Sequence, residues 1–358
     1  MSFKATALAA LLAAAICSAQ TTTPATADKT FDFTNKPSAQ GLQEIATVLR
    51  TVADLQHLSL NSDNATVTVN GNTDQLAMAA WLIHELDQPA QVVPSPTDQY
   101  PVTGGAELTP NAGDDVIRVF FLQHTDTPQG MQEMMTILRT VANIQKVFSY
   151  SAPHGLVVRG RANEIAFAQY LINAIDVVPG SVTSSAEFHY DSPRLPSSVA
   201  RVFYLANVST PQQTQEILTV LRTVADIQKV FNATGVKALA ICASASDLAV
   251  SEWIIKSLDI PLSAKPGPNA AAHEFTMPAN AAVGNIVRVF YPANIKTAQQ
   301  MQQTLTLLRT KVPVTKVFNY MSLPAIVLRG TSDQVTKSEQ LIQEQDRPAI
   351  AAAITRGE

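Results

Sequence analysis

The chain has 358 residues, of which 46% are hydrophobic and 15% charged, a composition typical of folded domains rather than of disordered chains. This length exceeds that of one ordinary domain, so several units are expected. The formal net charge is −4, and a slightly acidic chain lacks the basic surface that binding to nucleic acid or to anionic lipid requires. Nucleic acid is therefore excluded as a partner.

An uncharged, alanine-rich and leucine-rich run follows Lys4 and extends from Ala5 to Cys17. It is long enough for the apolar segment of a secretory signal but too short to span a bilayer as a helix. Small residues at Cys17 and Ala19 predict cleavage after Ala19, so residues 1–19 are interpreted as a signal peptide. The mature chain is then exported, either periplasmic or associated with the outer membrane, with no integral membrane span.

Two cysteines bear on processing and redox state. Lipidation of Cys17 is the less favoured alternative to cleavage, because Ile16 stands where a lipoprotein signal has a small residue. The mature chain then keeps only Cys242, so it forms no internal disulfide. The apolar neighbours of Cys242 predict a buried strand residue rather than a reactive thiol.

A repeat decides the domain organisation. The tripeptide Leu-Arg-Thr occurs four times, with its arginines at Arg50, Arg139, Arg222 and Arg309. An aspartate follows each arginine after 37 residues, at Asp87, Asp176, Asp259 and Asp346. A constant interval without insertions predicts one compact unit present in four copies, of which the first is the most divergent.

The periodicity of copy 2 shows how each copy is organised. An aromatic strand precedes the helix, and Met131, Met134 and Leu138 recur at helical spacing behind Pro128. Two short β-prone runs and a second helix ending near the repeated aspartate follow. The fold class is therefore α+β, with four tandem β-α-β-β-α modules, each with two helices packed on a three-stranded sheet.

The segments between the copies are rich in Pro, Ser, Ala and Gly and are interpreted as tethers, so we expect modules like beads on a string, with docking of neighbours as an open alternative, rather than a continuous solenoid. The predicted boundaries, in chain order, are signal peptide 1–19, module 1 at 29–89, linker 90–115, module 2 at 116–179, linker 180–198, module 3 at 199–261, linker 262–286, module 4 at 287–348 and C-terminal tail 349–358.

The copies share a family's motifs. The second strand of the hairpin closes on Val69-Asn70-Gly71, Val158-Arg159-Gly160 or Leu328-Arg329-Gly330, and the second helix ends in Leu86-Asp87-Gln88-Pro89, Leu258-Asp259-Ile260-Pro261 or similar. This pattern resembles the short N-terminal domain of bacterial secretins, in four copies. In that family the domains line the periplasmic vestibule, stack into rings and contact other proteins without chemistry. The chain ends ten residues after Pro348, so the family's channel domain is missing from the pattern.

Seven residues are candidate interface residues. The repeated arginines, Arg50, Arg139, Arg222 and Arg309, are candidates for ion pairs across an interface, against the alternative of solvated helix ends or of bonds to helix carbonyls. One ring of each aromatic pair on the first strand faces away from its own core, which makes Phe121, Tyr204 and Tyr291 candidates for contact with a neighbour. The repeated aspartates are expected to form a turn with the following proline, or to pair with the arginines.

No residue pattern supports an enzyme, a cofactor or a metal. The six histidines fall at unrelated positions of the modules, and neither a nucleophile elbow nor a phosphate loop is present. The β-α-β-β-α order also occurs in the RNA-binding KH module, but its Gly-x-x-Gly loop is missing and the charge is wrong.

The favoured function is a non-catalytic periplasmic scaffold or adaptor that contacts a secretin or another envelope protein, with self-association as a further expectation. Two alternatives stay open. The modules could bind cell-wall glycan or an extracellular ligand, or the chain could be the periplasmic half of a split secretin.

Overall fold

A computed structural model describes residues 25–89, 99–102, 115–152, 154–192, 195–267, 273–278 and 284–348. The predicted signal peptide and C-terminal tail, and with them Cys17, lie outside the described residues. Module 1 contains β1 (Ala27–Asp32), α1 (Ala39–Thr51), β2 (Leu58–Asn61), β3 (Thr66–Gly71) and α2 (Thr73–Leu86). Module 2 contains β4 (Tyr100–Pro101), β5 (Asp115–Phe121), α3 (Pro128–Thr140), β6 (Lys146–Tyr150), β7 (Gly155–Arg161) and α4 (Ala162–Ile175).

The second half of the chain repeats this order. Module 3 contains β8 (Phe188–Ser192), β9 (Leu195–Tyr204), α5 (Pro211–Val224), β10 (Val230–Ala233), β11 (Ala238–Ala243) and α6 (Ala245–Leu258). Module 4 contains β12 (His273–Thr276), β13 (Ile286–Phe290), α7 (Ala298–Lys311), β14 (Lys316–Tyr320), β15 (Ala325–Gly330) and α8 (Ser332–Gln345). None of the described helices is long and apolar enough to cross a bilayer.

The predicted fold class is confirmed, because the four copies share one strand pairing. In each module the third strand is central: it pairs antiparallel with the first strand on one side and with the second strand, its hairpin partner, on the other. The registers match as well, with Phe31 opposite Val67, Phe120 opposite Leu156, Phe203 opposite Leu239 and Phe290 opposite Ile326. Offsets from the repeated arginine or aspartate therefore define equivalent positions in all four modules.

Local sequence starts the first helix of each module at the same point. Ser38, Thr127, Thr210 and Thr297 are the N-cap residues, and each side chain accepts a hydrogen bond from a backbone N–H of the first turn. Pro128 and Pro211 occupy that first turn, where a missing N–H costs nothing. The apolar faces of these helices then pack on their own sheets.

Parts of the predicted linkers are strands rather than tethers. β4, β8 and β12 each add a fourth strand beside the first strand of the next module, so three of the four described sheets have four strands. Aromatic rings on these strands pack on the second helix of the preceding module, as Tyr100 does on Trp81 with 5.1 Å between ring centroids. The exact module boundaries stay a prediction.

The expectation of beads on a string is wrong, because neighbouring modules share hydrophobic cores. Helix α1 packs on β6 of module 2, α3 on β10 of module 3, and α5 on β14 of module 4. Alternate residues of one strand serve two cores, so Leu156 and Val158 join the core of module 2 while Val157 joins that of module 1. Sheets and helix pairs thus alternate in one continuous stack.

Both ends of this stack are polar. The outer sheet face of module 1 carries Asp32 where modules 2, 3 and 4 have the buried or half-buried rings of Phe121, Tyr204 and Tyr291. On the same face, Thr30 and Thr68 share a hydrogen bond of 2.8 Å, and Asn70 donates one of 2.7 Å to Asp28. These polar side chains favour contact of this face with water rather than with another module.

The last helix pair is polar at the positions where earlier pairs contact the next module. Lys311 is exposed in α7, whereas the equivalent Val52, Val141 and Val224 are fully buried. In α8 the exposed Gln340 replaces Trp81, Tyr170 and Trp253. Terminal repeats with a polar outer face close a stack of this kind.

Candidate functional site: the junctions between modules

The repeated aspartates tie the end of each module's second helix to the loop after its first strand. Asp176 accepts hydrogen bonds from the backbone N–H groups of Gln123, His124 and Thr125 at 2.6, 2.8 and 2.8 Å. Asp346 accepts from the three equivalent N–H groups of its own module, and Asp87 and Asp259 accept from the first two. These bonds, rather than a turn with proline or an arginine partner, explain an acid at a helix C-terminus.

Three of the repeated arginines bond within their own module. The Nη2 atoms of Arg139, Arg222 and Arg309 donate to the carbonyl oxygens of Val147, Val230 and Val317 at 2.7, 2.8 and 3.1 Å. Each guanidinium thus joins the last turn of the first helix to the hairpin strand beside it. Arg50 stands at the same helix position, half-buried. A role for these arginines in contacts with another protein stays a prediction.

The outward aromatic residues of the first strands lie against the preceding module. Phe121 belongs to the core shared with module 1. The hydroxyl of Tyr204 donates to the carbonyl oxygen of Ala174 in module 2, and that of Tyr291 donates to Ser257 O of module 3 at 2.9 Å. Burial raises the pKa of Tyr291 to about 12, so this donor stays protonated at neutral pH.

A glutamate on the first helix of modules 1, 2 and 3 caps the hairpin of the next module. Glu44 accepts from the backbone N–H and the hydroxyl of Ser151, both at 2.8 Å. Glu133 accepts from Thr234 N at 2.9 Å and Glu216 from Met321 N at 3.0 Å. In module 4, which has no described module after it, the equivalent residue is the exposed Gln303.

Ion pairs between side chains of neighbouring modules are present at two of the three described junctions. At the junction of modules 1 and 2, Asp54 pairs with Lys146 and, at 2.9 Å, with Arg159, whose side chain is 3% exposed. At the junction of modules 3 and 4, Asp226 pairs with Lys316 and, at 3.4 Å, with Arg329. Asp54 and Asp226 have positive φ angles of 57° and 61°, a conformation that Asp and Asn tolerate.

The junction of modules 2 and 3 has different residues at these positions. Asn143, with φ 59°, replaces the aspartate, and Cys242 replaces the arginine. Cys242 is buried in the core that modules 2 and 3 share, as its apolar neighbours predict. Burial raises the pKa of its thiol to about 11, which keeps the thiolate fraction small at neutral pH.

The described histidines are not gathered into a site. Among the described residues no group of three or more His, Cys, Asp or Glu side chains is placed to hold a metal ion. His273 stacks on Trp253 with 4.8 Å between ring centroids and lies 2.7 Å from the hydroxyl of Ser257. Burial lowers the pKa of His273, which favours its neutral form.

Comparison with known proteins gives partial likenesses only. No protein-family model matches the chain, and no curated protein matches it. Among solved structures, Aeromonas hydrophila ExeD is 16% identical over 66% of this chain, and this chain spans 41% of that one, with a TM-score of 0.16. The type II secretion system secretin GspD of E. coli is 12% identical over 66% of this chain and 40% of its own, with a TM-score of 0.16.

A dimeric mutant of the N-terminal domain of the secretin XcpQ from Pseudomonas aeruginosa is 13% identical over 67% of this chain and 99% of its own, with a TM-score of 0.23. Identities and TM-scores this low carry no argument about function. The resemblance to secretin domains therefore continues to depend on the sequence motifs.

The sequence contained signals for the junction residues that motif analysis missed. A glutamate occupies the position six residues before the repeated arginine in modules 1, 2 and 3, and Gln303 stands there in module 4. Likewise, an aspartate lies four residues after the repeated arginine at Asp54 and Asp226, whereas Asn143 and Pro313 stand there in modules 2 and 4. Differences among copies, rather than their shared residues, indicated which surfaces meet another module.

Proposed function

We propose that this protein is a non-catalytic scaffold of the bacterial envelope, exported to the periplasm, that contacts a secretin or another component of a secretion or pilus-type assembly. The resemblance of each copy to secretin N-terminal domains supports the class of partner. The signal-like N-terminal run supports the compartment.

The observation that carries the proposal is the stack with polar ends. Apolar faces of its modules are buried against neighbouring modules, and its two end faces carry polar residues such as Asp32 and Lys311. A rod of this kind holds its loops, sheet edges and helix flanks at fixed spacings. Fixed spacing along a non-catalytic rod is what an adaptor between larger components requires.

Crosslinking in intact cells tests the proposal. A photoreactive residue would replace exposed positions on the flanks of the stack, for instance Gln132 in α3 and Gln215 in α5, and crosslinked proteins would be identified by mass spectrometry. The same residue in place of the buried Leu138 is the matched control, because it faces the chain itself.

An envelope protein attached at the flank positions, and absent from the control, supports the scaffold. A protein that stays an isolated monomer in the envelope at every flank position overturns it. Retention by purified peptidoglycan in a sedimentation assay, without a protein partner, would instead favour binding to the cell wall.

A further inference from the structure

The junction of modules 2 and 3 contains a vacancy that the other two junctions do not have. Tyr150 and Tyr320, the last residues of β6 and β14, are 4% and 3% exposed, and each is packed into the core shared with the preceding module. The equivalent residue of β10 is Ala233. A side chain of one methyl group cannot fill the space of a phenol ring.

A cavity of about 230 Å³ lies beside Ala233. It is lined by apolar side chains of module 2, among them Met134, Ile137 and Ile175, and by Val236 of module 3. Val236 is half-buried, whereas the equivalent Leu323 at the next junction is 2% exposed, so the hairpin covers this cavity less completely.

The cavity corresponds to the place of the tyrosine rings. A Cβ atom built on Gly41 would lie 3.6 Å from the hydroxyl oxygen of Tyr150, so that ring reaches from the sheet to the first turn of α1. Gly130 is the equivalent residue of α3, and it lines the cavity together with Ala233. The cavity therefore extends between the same two points that the Tyr150 side chain joins at the first junction.

The charges around the cavity suit a neutral phenol. The tyrosines of the other junctions face acids, and the pKa of Tyr150 is raised to about 12 by burial and by Glu44 and Asp87. Glu133 and Asp126 line the cavity in module 2. Because these carboxylates repel an anion, an uncharged aromatic group with a hydroxyl is favoured over an aromatic acid.

A second cavity of about 370 Å³ adjoins the first and shares Pro179, Gly235 and Val236 with it. It is lined further by Tyr204 and Leu205 of module 3. The two cavities together form a groove, so a polypeptide that places a ring in the first has room for its flanking residues in the second. A polypeptide is therefore favoured over a free small molecule.

We propose that this groove is a docking site in which a partner protein inserts a tyrosine side chain beside Ala233, at the place that Tyr150 and Tyr320 fill in the other junctions. The proposal deepens the scaffold function and rests on it, since the inserted tyrosine would belong to the envelope protein that the scaffold contacts. Residues of modules 2 and 3 on both sides of the junction line the groove.

Binding of defined probes to the full chain tests the site. The probes are 4-methylphenol, which is the side chain of tyrosine, and the blocked tripeptide Gly-Tyr-Gly, titrated while the Met134 methyl resonance is followed by NMR. We expect saturable binding of both probes at one site, with each displacing the other. In Ala233→Tyr, whose own ring fills the cavity, binding weakens about tenfold or more.

The matched control is Tyr150→Ala, which opens the equivalent space at the first junction and is expected to raise the number of 4-methylphenol molecules bound from one to two. If this variant does not fold, Val236→Leu, which narrows the cavity at its cover, takes its place and is expected to weaken binding. Unchanged binding in Ala233→Tyr, or no binding by the unaltered chain, overturns the proposal.

The remaining outcomes separate the docking site from the scaffold function. Binding of 4-methylphenol without binding of the tripeptide overturns docking of a protein tyrosine and assigns the cavity to small phenols. An envelope protein that crosslinks equally well to Ala233→Tyr in cells leaves the scaffold standing and overturns this groove as its docking site. Loss of that crosslink in Ala233→Tyr supports both.

Discussion

At the scale of single residues, the repeated aspartate links two segments within each module. A carboxylate at a helix C-terminus interacts unfavourably with the helix dipole. Asp176 is stable there because it accepts hydrogen bonds from backbone N–H groups of the loop after the first strand. That loop leads directly into the N-cap of the first helix. One side chain therefore holds the end of one helix and the start of the other.

Asp176→Ala is expected to lower the free energy of unfolding by about 2 kcal/mol, because three backbone donors lose a charged acceptor. Urea denaturation followed by circular dichroism measures the change. Asp333→Ala is the control, since that carboxylate is 71% exposed and bonds only to Lys337 on its own helix, and a change within about 0.5 kcal/mol is expected. Equal losses in the two variants would contradict the role of Asp176.

The two ion-pair junctions differ in exposure, and this difference predicts unequal effects. In Asp54→Asn the nearly buried Arg159 loses one of its two carboxylates, and a loss of about 2 kcal/mol is expected. In Asp226→Asn the lost carboxylate is 46% exposed, and the loss should stay below about 1 kcal/mol.

Asparagine keeps the positive φ at both positions, as Asn143 does at the middle junction, so the backbone is not a cause of either loss. Denaturation at low and high salt distinguishes the two further, because screening should shrink the Asp226 effect more than the Asp54 effect. An Asp226 effect that equals the Asp54 effect at both salt concentrations would argue against this assignment.

At the scale of elements, the helices and the central strands could be predicted from the sequence, whereas the fourth strands could not. Periodicity and N-caps such as Thr127 and Thr210 fix the helices locally. The strand Tyr100–Pro101 has two residues, too few for a periodic pattern, and it forms because Tyr100 packs on Trp81 of a different module. Such contacts between modules are not encoded in a local pattern.

The stacking of modules left a sequence signal that is clear in retrospect. The run Leu156, Val157 and Val158 is apolar at every position, which is typical of a strand buried on both faces. In module 1 the equivalent run alternates, with Thr68 between Val67 and Val69, as in a strand with one face in water. The difference between these runs predicts which sheet lies at the end of the stack.

Equivalent positions of the first helices should respond to charge in opposite ways. Val224→Lys in α5 places an ammonium in the core shared with module 4, and a loss of about 3 to 5 kcal/mol is expected. Lys311→Val removes the same charge from the exposed position of α7, and a change within about 0.5 kcal/mol is expected. Thermal and urea denaturation would show this contrast, and a well-tolerated Val224→Lys would exclude stacking of α5 on module 4.

At the scale of the whole molecule, the shared cores make stability a property of the stack. Each module of this size buries little surface alone, and the next sheet covers the outer face of its helices. The polar helices α7 and α8 are the exception because no described module covers them. A module from the middle of the stack therefore cannot serve as its end.

A chain that stops after Pro261 tests this conclusion. Removal of module 4 uncovers Val224, Val250 and Trp253, which belong to the core that modules 3 and 4 share or pack against it. The shortened chain is expected to self-associate at micromolar concentration, as measured by analytical ultracentrifugation, because a contiguous apolar face meets water.

Three substitutions that copy polar residues of α7 and α8 should prevent this self-association. Val224→Lys, Val250→Lys and Trp253→Gln give the shortened chain the side chains of Lys311, Lys337 and Gln340, and should return it to a monomer. The substitution Val224→Lys then harms the full chain and helps the shortened one, a reversal that only coverage by module 4 explains. A shortened chain that is monomeric without these substitutions would show that module 4 does not cover the helices of module 3.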